Sequence, residues 1–321
     1  MSVRAMLVLA TAAFAAPAQQ SATTELPAER TLADFAEPAE GRRWRTVLDG
    51  VMGGRSTGSF VVEDDRMRFT GVLNTNGGGF SSVRRRGTDL RLGQKGERGI
   101  HLQVRGDGRT YTLRLRQPNG RRRLAPSYRT TFATDGGKAW QDVFVPYASL
   151  RPTWRGRKLD LPPVDPSRVD ELGISIDDKI DGPFALEVRK VGTYGPFDFD
   201  AFRRDRRPLV LFAATAGDPD LVTQLAAMKA ARADLTDRDM EVVVVLDRGP
   251  SRAGSRPLDA RTCKQLRRRF ADQRTSGFAA LLIGKDGGVK RTSATPLTAD
   301  ALFAQIDRMP MRRRELRDRI R

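Results

Sequence analysis

Hydrophobic positions in the first two thirds of the chain recur at every second residue in short runs. Ile100, Leu102 and Val104 alternate with His101 and Gln103, and Tyr111, Leu113 and Leu115 alternate with Thr112 and Arg114. Period-two alternation marks strands with one buried face. Gly106-Asp-Gly108 between the two runs is a turn signal, so the pair reads as an antiparallel hairpin. Further strands are expected at Phe60–Val62, Met67–Leu73, Phe80–Arg85, Tyr128–Ala133, Gln141–Pro146, Glu171–Asp177 and Phe184–Tyr194. Many short strands separated by turn residues, with almost no helical periodicity, predict a β-sandwich.

Beyond residue 200 the pattern changes. Pro208–Ala213, Glu241–Leu246 and Phe278–Ile283 are continuous apolar runs, as in strands buried on both faces. Between them lie helix signals: Asp218 as N-cap with Pro219 at the first helical position, then Leu221, Leu225 and Met228 at helical spacing. A second helix is expected over Leu258–Phe270 and a last one over Leu297–Ile306. Lys285-Asp-Gly-Gly288 turns into a fourth strand. The first two strands, joined by a helix, predict a parallel pair.

The densest glycine cluster is Trp44 to Phe60, with glycines at 50, 53, 54 and 58, followed by Asn76-Gly-Gly-Gly-Phe80. A phosphate-binding reading fails. Gly54 is followed by Arg55-Ser56 rather than Lys-Ser/Thr, and a strand follows instead of a helix N-terminus. The combined pattern resembles the complex I intermediate-associated protein family, whose domain is a β-sandwich related to galactose-binding jelly rolls. Gly106–Tyr111, Trp140–Pro146, Arg155-Gly-Arg157 and Asp178–Phe184 fall where that family carries similar motifs. The resemblance implies an all-β jelly-roll sandwich over residues 41–196 with a binding-type role. In mitochondrial members it implies help in assembling respiratory complex I.

After a linker at 197–207, residues 208–311 resemble an uncharacterised thioredoxin-like family of secreted bacterial proteins. Ile283–Lys290 and Met309–Glu315 are the recognisable parts. The resemblance implies an α/β thioredoxin-like domain. Its redox pair would lie where the first strand meets the first helix, which here reads Ala214–Pro219 without cysteine. Thr275-Ser276-Gly277 stands where the proline before the third strand is expected. The lone Cys263 falls on the buried face of the second helix, as a small core residue.

Composition sharpens this. The 321 residues carry 57 Lys and Arg against 39 Asp and Glu, a formal charge of +18 spread over both halves. Such a field favours anionic partners. Residues 1–18 read as a secretory signal: Arg4, the apolar Ala5–Phe14, and a cleavage site at Ala16-Pro-Ala18 or Ala13-Phe-Ala15, followed by a polar spacer to residue 40. Export to a periplasm or beyond argues against nucleic acid and leaves a protein partner, an acidic envelope polymer or lipid headgroups. The basic tail 312–321 is a candidate for peripheral membrane contact or a solvated helical end.

One cysteine excludes an intramolecular disulfide, and one histidine, His101, removes most metal and His-based catalytic constellations. His101 alternates with the apolar positions and reads as a surface residue. No cofactor or catalytic residue is expected, so the chain reads as a non-enzymatic binding or assembly factor that recognises a protein partner, with a carbohydrate- or acidic envelope-polymer-binding protein as the alternative.

The candidate binding residues are Asp49, Ser56, Asn76, Arg84, Arg105, Asp107, Tyr111 and Trp140. Arg84 and Arg105 can present a planar fork to a carboxylate or phosphate, and Trp140 can stack on a sugar. Each has a plainer reading. Asp49 beside Gly50 suits a turn closing on its own backbone. Trp44 and Trp140 suit the core. Arg84 heads an Arg-Arg-Arg run that reads equally as a solvated stretch.

Overall fold

The computed structural model describes residues 29–118, 125–154, 156–273 and 277–319. The expected signal segment, Arg155, and Thr275 and Ser276 lie outside the described residues. The first region holds thirteen strands: β1 (Thr31–Asp34), β2 (Trp44–Leu48), β3 (Ser59–Glu63), β4 (Arg66–Leu73), β5 (Ser81–Arg86), β6 (Gly99–Gly106) and β7 (Thr110–Arg116). They continue with β8 (Ser127–Ala133), β9 (Gln141–Pro146), β10 (Arg151–Trp154), β11 (Arg157–Lys158), β12 (Glu171–Ile176) and β13 (Gly182–Tyr194).

Two sheets form. One runs β3-β4-β13-β6-β9, with β1 also on β13; the other runs β11-β10-β8-β7-β12-β5-β2. Their inner faces share one core, in which Met67, Phe69, Ile100, Leu102 and Val104 of the first meet Tyr111, Leu113, Leu115, Leu172 and Ile174 of the second. Period-two alternation therefore does here what it predicts: one face dry, the other polar.

The expected hairpin of β6 and β7 does not exist. β6 pairs with β13 and β9, whereas β7 pairs with β8 and β12, so Gly106-Asp-Gly108 crosses from one sheet to the other. A turn signal specifies reversal of the chain, not pairing across it. Asp107 fixes the crossing by accepting from Arg109 N (3.1 Å), Tyr111 Oη (3.1 Å) and Ala185 N of β13 (2.7 Å).

The second region is an α/β unit. Its sheet holds β14 (Arg207–Ala213), β15 (Met240–Leu246), β16 (Ser251–Ala253), β17 (Arg256–Leu258), β18 (Ala279–Ile283) and β19 (Val289–Ser293), in the order β17-β16-β15-β14-β18-β19. β14 and β15 are parallel, and β18 and β19 complete an antiparallel edge. The helices are α1 (Pro219–Ala230), α2 (Arg232–Asp237), α3 (Ala260–Arg269), α4 (Ala299–Asp307) and α5 (Pro310–Asp318). Asp218 caps α1 by accepting from Asp220 N and Leu221 N, both at 3.1 Å. Cys263 is buried among Leu266, Phe270 and Val245.

Two expectations about the ends of this unit need correction. The linker at 197–207 sends Phe199 into the second core, where it meets Phe270 at 5.7 Å. The tail is not wholly solvated: α5 begins before it, and Arg312 is buried and donates to Asp237 O at 2.7 Å. A basic run looks uniform in sequence, but a helix turns some of its side chains inward.

Candidate functional site

The glycine-rich segments meet at one carboxylate. Asp49 accepts from Ser56 Oγ (2.6 Å), Ser56 N (3.1 Å), Gly79 N (2.6 Å) and Phe80 N (3.2 Å), and is fully buried. Burial pushes this carboxyl up, but the four hydrogen bonds outweigh it and hold it below its ordinary value. The glycines are required by proximity. A Cβ on Gly54 would lie 2.2 Å from the Asp49 carboxyl carbon, and one on Gly78 would lie 2.5 Å from an oxygen. Asp49 and Ser56 therefore form a latch between two loops and are not ligand-facing. Asn76 sits exposed at the tip of the second loop.

The latched loop, Gly78-Gly-Phe80, is the rim of a cleft of about 490 Å³ on the outer face of the seven-stranded sheet. Strand register builds its floor. Arg45 lies opposite Arg84, Arg84 opposite Gly173, Gly173 opposite Arg114, Arg114 opposite Arg129 and Arg129 opposite Arg151. These positions form a row across six adjacent strands, about 24 Å long at the usual strand spacing. Gly173 leaves the gap that the flanking side chains need, since a Cβ there would meet the Cγ atoms of Arg84 and Arg114 at 3.2 Å. A parallel row of hydroxyls, Ser82, Ser175, Thr112 and Thr131, runs beside the arginines. Trp154 contributes an aromatic wall.

The counter-ion is Glu171, whose side chain is 1% exposed. It accepts from Arg45 (3.0 Å), Arg86 (2.9 Å) and Arg114 (3.1 Å). Burial raises this carboxyl, while the Arg86 hydrogen bond and the surrounding guanidinium charges pull it below its ordinary value. Arg129 is held by Asp177, and Arg116 by Asp170 at 2.5 Å. Arg84 is different. It donates to Ser82 Oγ at 3.0 Å and comes no nearer than 4.0 Å to Glu171. Burial first, and then the charge of Arg114, push its pKa down to about 10. It remains a cation at neutral pH, without a carboxylate of its own among the described residues.

The remaining sequence candidates do not join this cleft. Tyr111 is in the core, its hydroxyl on Asp107 and its pKa raised by burial, so it cannot serve as a surface contact. Asp107 is spent on the sheet crossing. Arg105 and Trp140 lie together on the opposite sheet, with Arg105 paired to Glu187 and the indole between Arg105 (5.0 Å) and Arg189 (4.5 Å). Trp44 packs inside and donates to Glu40 at 3.0 Å. His101 is on the outer face, bonded to Asp142 at 2.8 Å. Of the Arg-Arg-Arg run, only the middle residue turns inward: Arg85 is buried against Glu40 (2.9 Å) and Asp89 (2.7 Å). The residues that sequence reasoning missed are Glu171, Gly173, Arg114, Arg129, Ser175 and Trp154. Arginines at alternate positions in β5 and β7 were the available signal.

Among the described residues no group of three or more His, Cys, Asp or Glu is placed to hold a metal, and no helix is long and apolar enough to cross a membrane.

Comparison with known proteins bears on both regions. A family model described as complex I intermediate-associated protein 30 (CIA30) matches residues 33–188, and a domain of unknown function (DUF4174) matches residues 198–315. The mouse complex I intermediate-associated protein 30, mitochondrial, is 31% identical over 114 residues, 35% of this chain and 35% of that protein. A probable counterpart in Caenorhabditis elegans is 35% identical over 95 residues, 29% of this chain and 28% of that one. The chain thus spans about a third of the length of these curated relatives. Among solved structures, a family 11 carbohydrate-binding module from Clostridium thermocellum, in complex with a mixed-linked tetrasaccharide, aligns with a TM-score of 0.41 at 13% identity. The alignment covers 52% of this chain and 95% of that one. Residues 33–188 are a domain of the complex I intermediate-associated protein 30 family, and a DUF4174 domain follows it.

Proposed function

We propose that this protein is an exported, non-catalytic assembly factor whose β-sandwich recognises a protein partner through the arginine cleft. The observation that carries the reading is the guanidinium row backed by a buried carboxylate. Arg45, Arg84, Arg114 and Arg129 converge on one face, and among the described residues no group of three or more His, Cys, Asp or Glu is placed there to hold a metal. Such a surface grips anions and has no evident means of transforming them. The name carried by the mitochondrial relatives supports a protein as the thing gripped. Residues 1–18 act as the export signal in this reading. The second domain is thioredoxin-like in type, with Asp218 capping a helix where a redox cysteine would sit and Cys263 buried elsewhere. In this reading it is a redox-inactive module.

An acidic envelope polymer is the second reading, favoured by the hydroxyl row beside the arginines, which suits a polyhydroxylated ligand. Cross-linking in intact cells separates the two. A photoreactive residue replacing the exposed Arg86 at the cleft is expected to capture a discrete protein, and capture should weaken as salt rises. The same probe at exposed Val61 on the other sheet should not capture it. Adducts with glycan alone would transfer the assignment to the polymer. Turnover by purified protein, abolished by one side-chain replacement, would overturn both.

A further inference from the structure

We propose that the floor of the cleft is a subsite for a single carboxylate, supplied by an acidic side chain of the protein partner, with Arg84 and Ser175 as the groups that bind it. The inference rests on the cleft being the partner surface and adds which chemical group it reads.

Charge pairing comes first. Four arginines on this face are largely withdrawn from solvent: Arg84, Arg114, Arg116 and Arg129. Three carboxylates answer them, with Glu171 on Arg114, Asp170 on Arg116 and Asp177 on Arg129. Four guanidiniums thus face three carboxylates, and Arg84, which shares Glu171 only at 4.0 Å, is the least compensated. Arg45 and Arg86 also reach Glu171, but about half of each side chain is exposed and water solvates them. The vacancy matches one monoanion. A dianionic phosphate would place a second negative charge beside Glu171 and Asp177. A polymer with an acid on every unit would meet arginines that already hold carboxylates.

Hydrogen bonding points to the same place. Ser175 is 4% exposed, lines the cleft, and its Oγ has no hydrogen-bond partner among the described residues; Arg129 Nε, also lining the cleft, has none either. A buried polar group without a partner costs free energy, and nearly all such groups in folded proteins find one. Ser175 lies directly opposite Ser82, which accepts from Arg84, and directly opposite Thr112, which donates to Asp177, the carboxylate that holds Arg129. The unpartnered hydroxyl therefore stands between the least compensated guanidinium and the second unpartnered donor. A carboxylate has two oxygens to accept from these donors, and charge-assisted bonds of this kind are the strong ones.

The test uses the full mature chain, isotopically labelled, titrated with a capped tripeptide containing one Glu at low salt. Saturable shifts of the Gly173 and Ser175 amides are expected, with no response to the Gln tripeptide. Affinity should fall by about tenfold in Arg84→Gln and a few-fold in Ser175→Ala, as expected for loss of a charged and a neutral donor. An otherwise unchanged amide spectrum in Ser175→Ala keeps the result readable if Arg84→Gln fails to fold. Tighter binding of inorganic phosphate or sulfate at the same amides would overturn the carboxylate. Binding of oligogalacturonate without the Glu tripeptide would overturn the protein source. If the tripeptide binds and Arg45→Glu with Arg86→Glu weakens it while Arg84→Gln and Ser175→Ala do not, the subsite is wrong and the cleft reading survives. If no acidic probe perturbs the cleft, both fall.

Discussion

The two outer faces of the sandwich use the same residue types to opposite ends. On the six-stranded sheet, Arg66 and Arg105 share Glu187, and Trp140 fills the space between Arg105 and Arg189. Every one of those cations has a near partner. On the seven-stranded sheet, Glu171 is more deeply buried and faces more arginines, yet Arg84 comes no nearer to it than 4.0 Å, and Ser175 Oγ has no hydrogen-bond partner among the described residues. An arginine count does not separate the two faces; the completeness of pairing does. The difference arises from register, because Gly173 brings Arg84 and Arg114 together across β12.

The largest effect should come from removing the buried counter-ion. Glu171→Ala leaves the largely buried Arg114 without its carboxylate, and breaking a buried pair from one side costs about 3–5 kcal/mol. Glu187→Ala on the other face should cost about 1 kcal/mol, because its partners can swing toward water. Denaturant unfolding of both variants measures the contrast, and equal losses would erase it.

Next is the rim of the cleft. Gly78→Ala drives a methyl into the Asp49 carboxylate and should destabilise by about 1–3 kcal/mol, as overpacking does. Combined with Asp49→Ala the two costs should add only in part, because the carboxylate that the methyl strikes is gone while the Gly54 Cα at 2.8 Å remains. Acid titration probes the same latch. The folded pKa of Asp49 is depressed, so its contribution is present above the unfolded value of about 3.9 and is lost as pH falls through the lower folded value. Asp49→Asn should therefore be less stable at neutral pH and lose less between about pH 4 and pH 2 than the parent. An unchanged acid limb would remove Asp49 from the latch.

Much of this was legible in the chain. Strand positions followed from alternation, the first helix of the second region from Asp218-Pro219, and the burial of Cys263 from helical spacing. The crossing at Gly106-Asp-Gly108 was not, because β6 and β7 present the same alternation whether they pair or part. The candidate site failed for a related reason. Arg114 and Arg129 come from the consecutive strands β7 and β8, but Arg84 comes from β5, and only the sheet order, with β12 between β5 and β7, makes it their neighbour. Arg105 carries the same local signal as Arg84, a guanidinium on a strand beside turn residues. Nothing in its sequence neighbourhood reveals that Glu187 will meet it.

That pair of look-alikes supplies the finest prediction. Among the described residues, Arg105→Gln removes one of two arginines on Glu187 and one of two cations stacked on Trp140. Each lost contact is a partly exposed one, so the stability cost should be only about 0.5–1 kcal/mol. Arg66 continues to neutralise Glu187, which keeps the face intact. Titration of this variant with the Glu tripeptide should give the parent affinity, whereas Arg84→Gln lowers it about tenfold. The two substitutions delete the same charge from the same fold, so long-range electrostatics alone would weaken both alike. A tenfold loss in Arg105→Gln would mean that net charge drives binding and that Arg84 of β5 has no special standing.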